Sequence, residues 1–398
     1  MISLHGKATV VCDNGDHGTS QVFRISTNAY RRPRFDRKEI FYLKETTSGK
    51  VDASLWPILF YNHEKFVDEK RAHAAILPEE LRYLSEGDLV RYNRLNGSLR
   101  VLYRPRIRFN ALLLTERCNH FCLMCSQPPR DIDDGFIVKD LLESIPMMAR
   151  NSGEICLSGG EPTLTGDGFY EIIESAKKHL PDTSLHVLTN GRHFNKVHNA
   201  QRLAEINHPD LMLGVPVYSD HPATHNFIVQ GDNAFDETIR AIINLKAQGV
   251  KVEIRFVLHK YTVTRIREFG EFICRNLLFV DHVAFMGLET IGFAKSNIEE
   301  LWVEPSSYME DLSYACKLIA KFGGKPSVYN SQLCLLKADS FPFYRRSISD
   351  WKNEFLPECS NCFGKSHCCG FFASNQKYHS DQLKPFETNE ELETFFTT

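Results

Sequence analysis

The chain has 398 residues, enough for two or three domains, and 42% of them are hydrophobic, enough for a sizeable core. With 47 basic against 50 acidic side chains the net charge is −3, so no global basic field points to nucleic acid or an anionic membrane. No apolar run reaches the roughly 18–20 residues of a membrane span. Met1–Asp16 lacks the charged start and apolar block of a secretory signal, so a cytoplasmic location is expected. Twelve cysteines in a reducing compartment point away from disulfides and, where they cluster, toward metal.

Residues 1–105 show turn signals (Asp13-Asn14-Gly15, Ser48-Gly49, Asn96-Gly97) and short alternating runs, without helix–strand alternation. Leu89–Asn93 and Ser98–Tyr103 flank Asn96-Gly97 and predict a β-hairpin, and a short amphipathic helix is expected near Glu79–Leu84. Tyr30-Arg31-Arg32-Pro33-Arg34, with Arg37 and Lys38, is a local basic run. It reads as a solvated loop or as a contact for an acidic peptide or RNA. The stretch as a whole reads as a β-rich N-terminal domain, ending at Tyr103-Arg104-Pro105-Arg106.

From there apolar strand-like runs alternate with helical segments. The runs are Ala111–Thr115, Glu154–Ser158, Ser184–Thr189, Leu211–Tyr218, Lys251–His259 and Phe279–Gly287. Phe169, Ile172, Ile173, Ala176 and Leu180 recur with helical spacing, as do Phe235, Ile239, Ile242, Ile243 and Leu245 before Gly249. Six β/α units imply a parallel sheet with crossover helices, two units short of a closed eight-stranded barrel. The expected class is α/β: a partial, TIM-like six-unit barrel over residues 106–300. One more helix, Ser306–Phe322, opens a C-terminal extension, 301–398, whose Cys-, Pro- and Gly-containing stretch runs from Cys334 to Ser374. The Glu- and Thr-rich end is expected to fray.

Cys118, Cys122 and Cys125 form C-x3-C-x2-C directly after the first predicted strand, at the strand end where parallel α/β folds place their chemistry. Three thiolates on a four-iron cluster leave one iron open for a ligand. The competing reading is a structural zinc with His120 as fourth ligand. His120 lies two residues from both Cys118 and Cys122, which is tight for a closed tetrahedron. Ser158-Gly159-Gly160-Glu161-Pro162 ends the second strand, Leu188-Thr189-Asn190-Gly191 the third and Val217-Tyr218-Ser219-Asp220 the fourth. Arg255 sits within the apolar fifth strand, where a lone charge needs a partner.

The cysteine spacing, with Phe121 just before the second cysteine, resembles the radical S-adenosylmethionine (radical SAM) signature. The resemblance implies a [4Fe–4S] cluster on Cys118, Cys122 and Cys125, with SAM on its open iron. Reductive cleavage of SAM would give a 5′-deoxyadenosyl radical that abstracts hydrogen from a substrate. It further implies SAM contacts from Gly159, Gly160 and Glu161, which resemble the family's GGEP motif, and from Thr189, Asn190, Ser219 and Arg255. Met286-Gly287-Leu288 would pack the adenine. Each of these has a plain alternative: a polar turn for the Gly-Gly-Glu-Pro and Thr-Asn-Gly segments, an ion pair for Arg255. No catalytic side chain is assigned, because cluster and SAM carry the chemistry.

Cys359-Ser360-Asn361-Cys362, then Cys368, with Cys334 upstream, resembles part of the auxiliary-cluster (SPASM or Twitch) region of peptide-modifying radical SAM enzymes. Four thiolates would close a second [4Fe–4S] cluster. A zinc ribbon on the same cysteines is the alternative, and the adjacent Cys369 competes with Cys368. Leu123–Pro129, Val217–Asp220, Val252–Arg255, Tyr329–Cys334, Ser349–Asn353 and Cys359–Phe372 together resemble the C-type radical SAM maturase of the His-Xaa-Ser peptide system. That resemblance implies a small peptide substrate, a second radical SAM maturase as partner, and an electron donor such as flavodoxin or ferredoxin. Alternatives are a small metabolite or tRNA as substrate, or a non-catalytic zinc- or iron-binding adaptor.

Overall fold

The computed structural model describes residues 3–13, 20–28, 38–43, 56, 58–63, 73–347 and 353–397. The basic run Tyr30–Arg37, the turns at Asn14-Gly15 and Ser48-Gly49, and most of Ser349–Asn353 lie outside the described residues.

Eight N-terminal strands form one sheet: β1 (His5–Lys7), β2 (Thr9–Asp13), β3 (Gln21–Ser26), β4 (Glu39–Leu43), β5 (Leu59–Tyr61), β6 (His73–Ile76), β7 (Leu89–Tyr92) and β8 (Ser98–Tyr103). Their order is β1-β8-β7-β3-β4-β5-β6-β2. The β7–β8 hairpin is the one predicted. Asn93 Oδ1 accepts the N–H groups of Leu95 and Asn96, and Gly97 takes φ +73°, where a Cβ would sit 2.0 Å from Ala8 O. Neighbouring pairs from β3 to β6 run parallel, a topology that alternation alone does not disclose. Ile25, Ile40, Tyr42, Phe60 and Tyr92 fill this sheet's core. The helix expected near Glu79–Leu84 is a single 3₁₀ turn, Glu79–Leu81.

Seven parallel strands follow: β9 (Phe109–Leu113), β10 (Glu154–Ser158), β11 (Ser184–Leu188), β12 (Leu211–Pro216), β13 (Lys251–Leu258), β14 (His282–Gly287) and β15 (Pro326–Tyr329). They pair in sequence order, and the end strands β9 and β15 do not pair with each other, so the barrel is partial. The crossovers carry α1 (Gly135–Ser144), α2 (Asp167–His179), α3 (Val197–Ile206), α4 (Pro222–Val229), α5 (Ala234–Ala247), α6 (Lys260–Val263), α7 (Ile266–Phe272), α8 (Phe293–Ser296), α9 (Ile298–Leu301) and α10 (Met309–Lys321). The six-unit expectation falls one strand short. β15 is only four residues long and begins with proline, too short for a period-2 signal.

Alternation along the strands separates two faces. Leu112, Ile155, Leu157, Leu185 and Val187 join the core with Ile172, Ile173 and Ala176 of α2. Ser158, Leu188, Gly214 and Arg255 face a cavity inside the barrel.

Beyond β15 the chain turns back, and Arg345 N–H bonds Val328 O at 2.9 Å, covering that edge of the barrel. A small antiparallel pair, β16 (Asn353–Glu354) and β17 (Phe371–Phe372), follows. The end does not fray: α11 (Asn389–Thr397) buries Leu392, stacks Phe396 on Phe341 and sets Phe395 edge-on against Phe341 and Phe386. Aromatic burial on one helical face outweighs the polar composition that predicted disorder. Among the described residues no helix is long and apolar enough to cross a membrane.

Candidate active site

The loop after β9 is set by one buried carboxylate. Asp134 Oδ2 accepts Thr115 Oγ1 at 2.7 Å and Glu116 N–H at 2.6 Å, and Arg117 Nε lies 3.3 Å from Oδ1. Burial works to raise this carboxyl's pKa. The hydrogen bonds and the Arg117 charge prevail and hold it below the usual carboxylate range. From this anchor the loop delivers Cys118, Cys122 and Cys125 to one cavity of about 320 Å³. Burial pushes the Cys118 thiol up to about 11 and raises those of Cys122 and Cys125 as well. Such thiols stay protonated until something that prefers thiolate is bound.

The second wall is the turn after β10. Gly159 and Gly160 line the cavity, and both press against the cysteine loop: a Cβ on Gly160 would lie 2.1 Å from Arg117 O. Glu161 does not line the cavity. Its buried carboxylate accepts Thr163 N–H (3.0 Å), Thr163 Oγ1 (2.7 Å), Thr189 Oγ1 (2.7 Å) and Asn190 N–H (2.6 Å). Burial raises its pKa against the pull of those four bonds. The carboxylate thus ties two strand-end turns together, three of its bonds falling on Oε1 and one on Oε2.

Thr189 and Asn190 do line the cavity, and Asn190 Nδ2 bonds Asn119 Oδ1 at 2.6 Å, linking the third turn to the cysteine loop. Ser219 does not line the cavity. It is buried, and its Oγ accepts His221 N–H at 3.1 Å. The local turn has captured the hydroxyl. Arg255 lines the cavity and is also paired, Nη1 to Glu253 Oε1 at 2.6 Å. Glu253 in turn accepts His282 Nδ1 at 2.6 Å and lies 3.4 Å from His186 Nε2. Burial would raise the Glu253 carboxyl, but the two histidines and Arg255 hold it far below its usual range.

Met286, Gly287 and Leu288 also line the cavity, as expected of the sixth strand end. Tyr218, Glu289 and Asn330 also line it and were not assigned as site residues from sequence. Tyr218 ends a recognised strand, and that position was the available signal. Asn330 follows the unpredicted β15 in the left-handed conformation, φ 57°. His120 lines the cavity as well, with Nε2 3.2 Å from Arg192 Nη1 and burial pressing its pKa down to about 4.

The tail cysteines meet at a second, smaller cavity, lined by Cys334, Cys359, Cys362 and Cys368. Cys369 points away. It is fully buried, with its Sγ on Ser331 O at 3.0 Å and its N–H on Tyr344 Oη at 2.6 Å. A hydrogen bond from Cys369, and N–H donors from Leu333 and Gly370, bring the Cys368 thiol down to about 6. Among the described residues no three His, Cys, Asp or Glu side chains converge on one point as a single metal ion requires.

Residues 112–273 match the model of the radical SAM superfamily. Over that stretch, less than half of the chain, the sequence is similar to radical SAM proteins. Proteins of that superfamily hold a [4Fe–4S] cluster and SAM. No curated protein matches the chain. Among solved structures it is similar to Streptococcus suis SuiB bound to S-adenosylmethionine, at 15% identity and TM-score 0.44, over 63% of this chain and 53% of SuiB. It is similar too to anSMEcpe with bound AdoMet and Cp18Cys peptide, at 14% identity and TM-score 0.48, over 73% and 95%. A third is a radical SAM methyltransferase from Sphaerobacter thermophilus, at 17% identity and TM-score 0.42, over 61% and 73%. The chain thus spans about half the length of SuiB.

Proposed function

We propose that the chain is a radical SAM enzyme that modifies a peptide, of the kind matured in the His-Xaa-Ser system. The reading is carried by one observation: Cys118, Cys122 and Cys125 share a cavity with Gly159, Gly160, Thr189, Asn190 and Arg255. These residues fit the implied group. Three thiols suit a [4Fe–4S] cluster with one open iron, and the site offers no fourth cysteine. His120, the fourth ligand a zinc site would need, has Nε2 against Arg192. When bound, the cluster and SAM supply an electron, C–S cleavage and a 5′-deoxyadenosyl radical for hydrogen abstraction.

The protein's own contribution is binding and aim. Backbone at Gly159-Gly160 and the polar ends of Thr189 and Asn190 offer hydrogen bonds to the amino-acid part of SAM. Arg255, held by Glu253, presents a guanidinium to its carboxylate. Met124, Tyr218, Val257 and Leu288 form apolar walls that shield a reactive radical from water. Residues 301–398 act as a module around Cys334, Cys359, Cys362 and Cys368, a set that fits a fully ligated auxiliary [4Fe–4S] cluster. The peptide reading rests on this second set and on the resemblance of the sequence around it. A second maturase and a flavodoxin- or ferredoxin-type donor are the partners it calls for.

Anaerobic reconstitution tests the assignment. The loaded protein should be brown and should release 5′-deoxyadenosine from SAM under reductant, and Cys122→Ala should abolish that release. Colourless, zinc-loaded protein that stays inactive after iron–sulfur reconstitution would overturn it.

A further inference from the structure

The two ends of the barrel sheet are treated differently. At β15 the edge is covered by this chain, through Arg345 N–H on Val328 O. At β9 it is not. In the ladder with β10 every second residue bonds: Glu154 N–H donates to Arg108 O at 2.9 Å, and Leu114 N–H to Ser158 O at 2.8 Å. Phe109, Ala111 and Leu113 therefore turn their N–H and C=O groups to the outer edge. That edge opens on a groove of about 740 Å³ between β9, the loop after it, α1 and the N-terminal sheet. Open strand edges are pairing sites that proteins otherwise cover.

The groove has an apolar wall from Leu113, Pro128, Pro129 and Phe136. Its charges do not cancel. Arg91 pairs with Asp140 at 2.8 Å and Arg130 with Glu116 at 3.1 Å, which uses both acids. Arg100 lines the same groove with no hydrogen bond or ion pair to any described residue, and burial lowers its pKa. The carboxylates near this part-buried guanidinium, Glu116 and Asp140, are each ion-paired with another arginine, so the groove holds one more arginine than it has acids to pair. The groove also reaches the site: Gln127 borders both this groove and the cavity of Cys118, Cys122 and Cys125.

We infer that this groove is the docking track for the substrate peptide, which adds as an extended strand along the outer edge of β9 and places an acidic side chain on Arg100. Main-chain bonds to Ala111 and Leu113 supply affinity that tolerates many sequences, and Arg100 sets the register. Gln127 then marks where the strand leaves the edge for the radical site. The N-terminal sheet, through Arg100, thus supplies one side of the track. The inference deepens the peptide-modifying reading and rests on it.

The test uses full-length, reconstituted protein and fluorescein-labelled decapeptide pools, randomised except for one fixed central Glu or one fixed central Gln. Wild type should bind the Glu pool about tenfold more tightly than the Gln pool, as one charge-assisted hydrogen bond predicts. Arg100→Gln should erase that preference, and Ala111→Pro, which removes one outward N–H, should weaken both pools. Circular dichroism confirms that both variants are folded. Equal binding of the two pools by wild type, a preference that survives in Arg100→Gln, or no binding of either pool overturns the inference. Release of 5′-deoxyadenosine by wild type without peptide reports separately on the proposed function. Protein that cleaves SAM yet shows no Glu preference sinks the groove alone, whereas protein that cannot cleave SAM sinks the reading beneath it.

Discussion

Gly160→Ala is the sharpest perturbation of the site, because the added methyl has nowhere to go. Its Cβ would stand 2.1 Å from Arg117 O, 2.6 Å from Arg117 C and 3.0 Å from Cys118 Cβ. Restoring an ordinary contact of about 3.5 Å requires a displacement of more than about 1 Å. Backbone on both sides must absorb it, since no flexible side chain is in the way. Overpacking of this kind costs about 1–3 kcal/mol. Misplacement of a reacting group by about 1 Å lowers rates by about 100-fold. The expected variant is therefore modestly destabilised but severely impaired, with Cys118 moved relative to Cys122 and Cys125. Urea unfolding, iron per chain after reconstitution, and 5′-deoxyadenosine release measure the three effects. Gly135→Ala is the control: its Cβ meets only Asp133 Oδ1, at 3.7 Å, so stability should change by less than about 1 kcal/mol. A Gly160→Ala protein with wild-type iron content and a rate within about twofold of wild type would refute the close-packing argument.

Three further outcomes follow from the same geometry. Arg265 bonds Asp220 with Nε at 2.8 Å and Nη2 at 2.6 Å and holds its carboxyl below the usual range against the opposing effect of burial. That contribution is full above the unfolded carboxylate pKa of about 3.9 and is lost as pH falls through the lower folded value. Asp220→Asn should therefore lose about 0.5–1 kcal/mol at pH 7, a figure discounted because Arg265 is partly exposed, and the gap from wild type in urea midpoint should close in acid. Glu161→Gln puts an amide donor against N–H and O–H donors in a buried site, which should cost about 2–4 kcal/mol in urea unfolding; an unchanged midpoint would sink the assigned role. Cys368→Ala should lose the iron of the second site, whereas Cys369→Ala should keep it and lose about 1–3 kcal/mol of stability, and the opposite pattern of iron retention would reverse the ligand choice.

The legible features were those with a local signature. The strand Glu154–Ser158 has its predicted bounds, and the Asn96-Gly97 hairpin forms, because period-2 alternation and a glycine turn are written in consecutive residues. The three-cysteine loop and the Gly-Gly turn meet in one cavity for the same reason: each follows a strand of one parallel sheet, which brings their ends to one side. What escaped depends on partners distant in sequence. Glu161 turns inward because Thr189 and Asn190, one strand away, offer it donors, and no motif encodes that preference. Ser219 belongs to a local turn instead of the cavity. Cys368 fits the spacing but the adjacent Cys369 could replace it, and the surroundings of Cys369, Ser331 and Tyr344, are distant in sequence. The parallel pairs inside the N-terminal sheet come from long connections whose register the alternation cannot state.

Taken together, these contacts make the site a single braced unit. Asp134 fixes the start of the cysteine loop, Gly160 seats it against the next turn, Glu161 ties that turn to Thr189 and Asn190, and Asn190 returns to Asn119 within the loop. Every bond in this circuit joins residues of the chain itself. The arrangement of the three thiols is therefore set by folding, a preorganised frame for the proposed cluster. The second cysteine cavity is joined to this frame by a short stretch: Asn330 borders the first cavity and Cys334 the second. Four peptide steps span on the order of 14 Å at most, and Asn330 is pinned on Ser347 by two bonds of 2.9 Å. Loosening that pin should disturb both cavities together, whereas a change at Asp134 should disturb the first and spare the second.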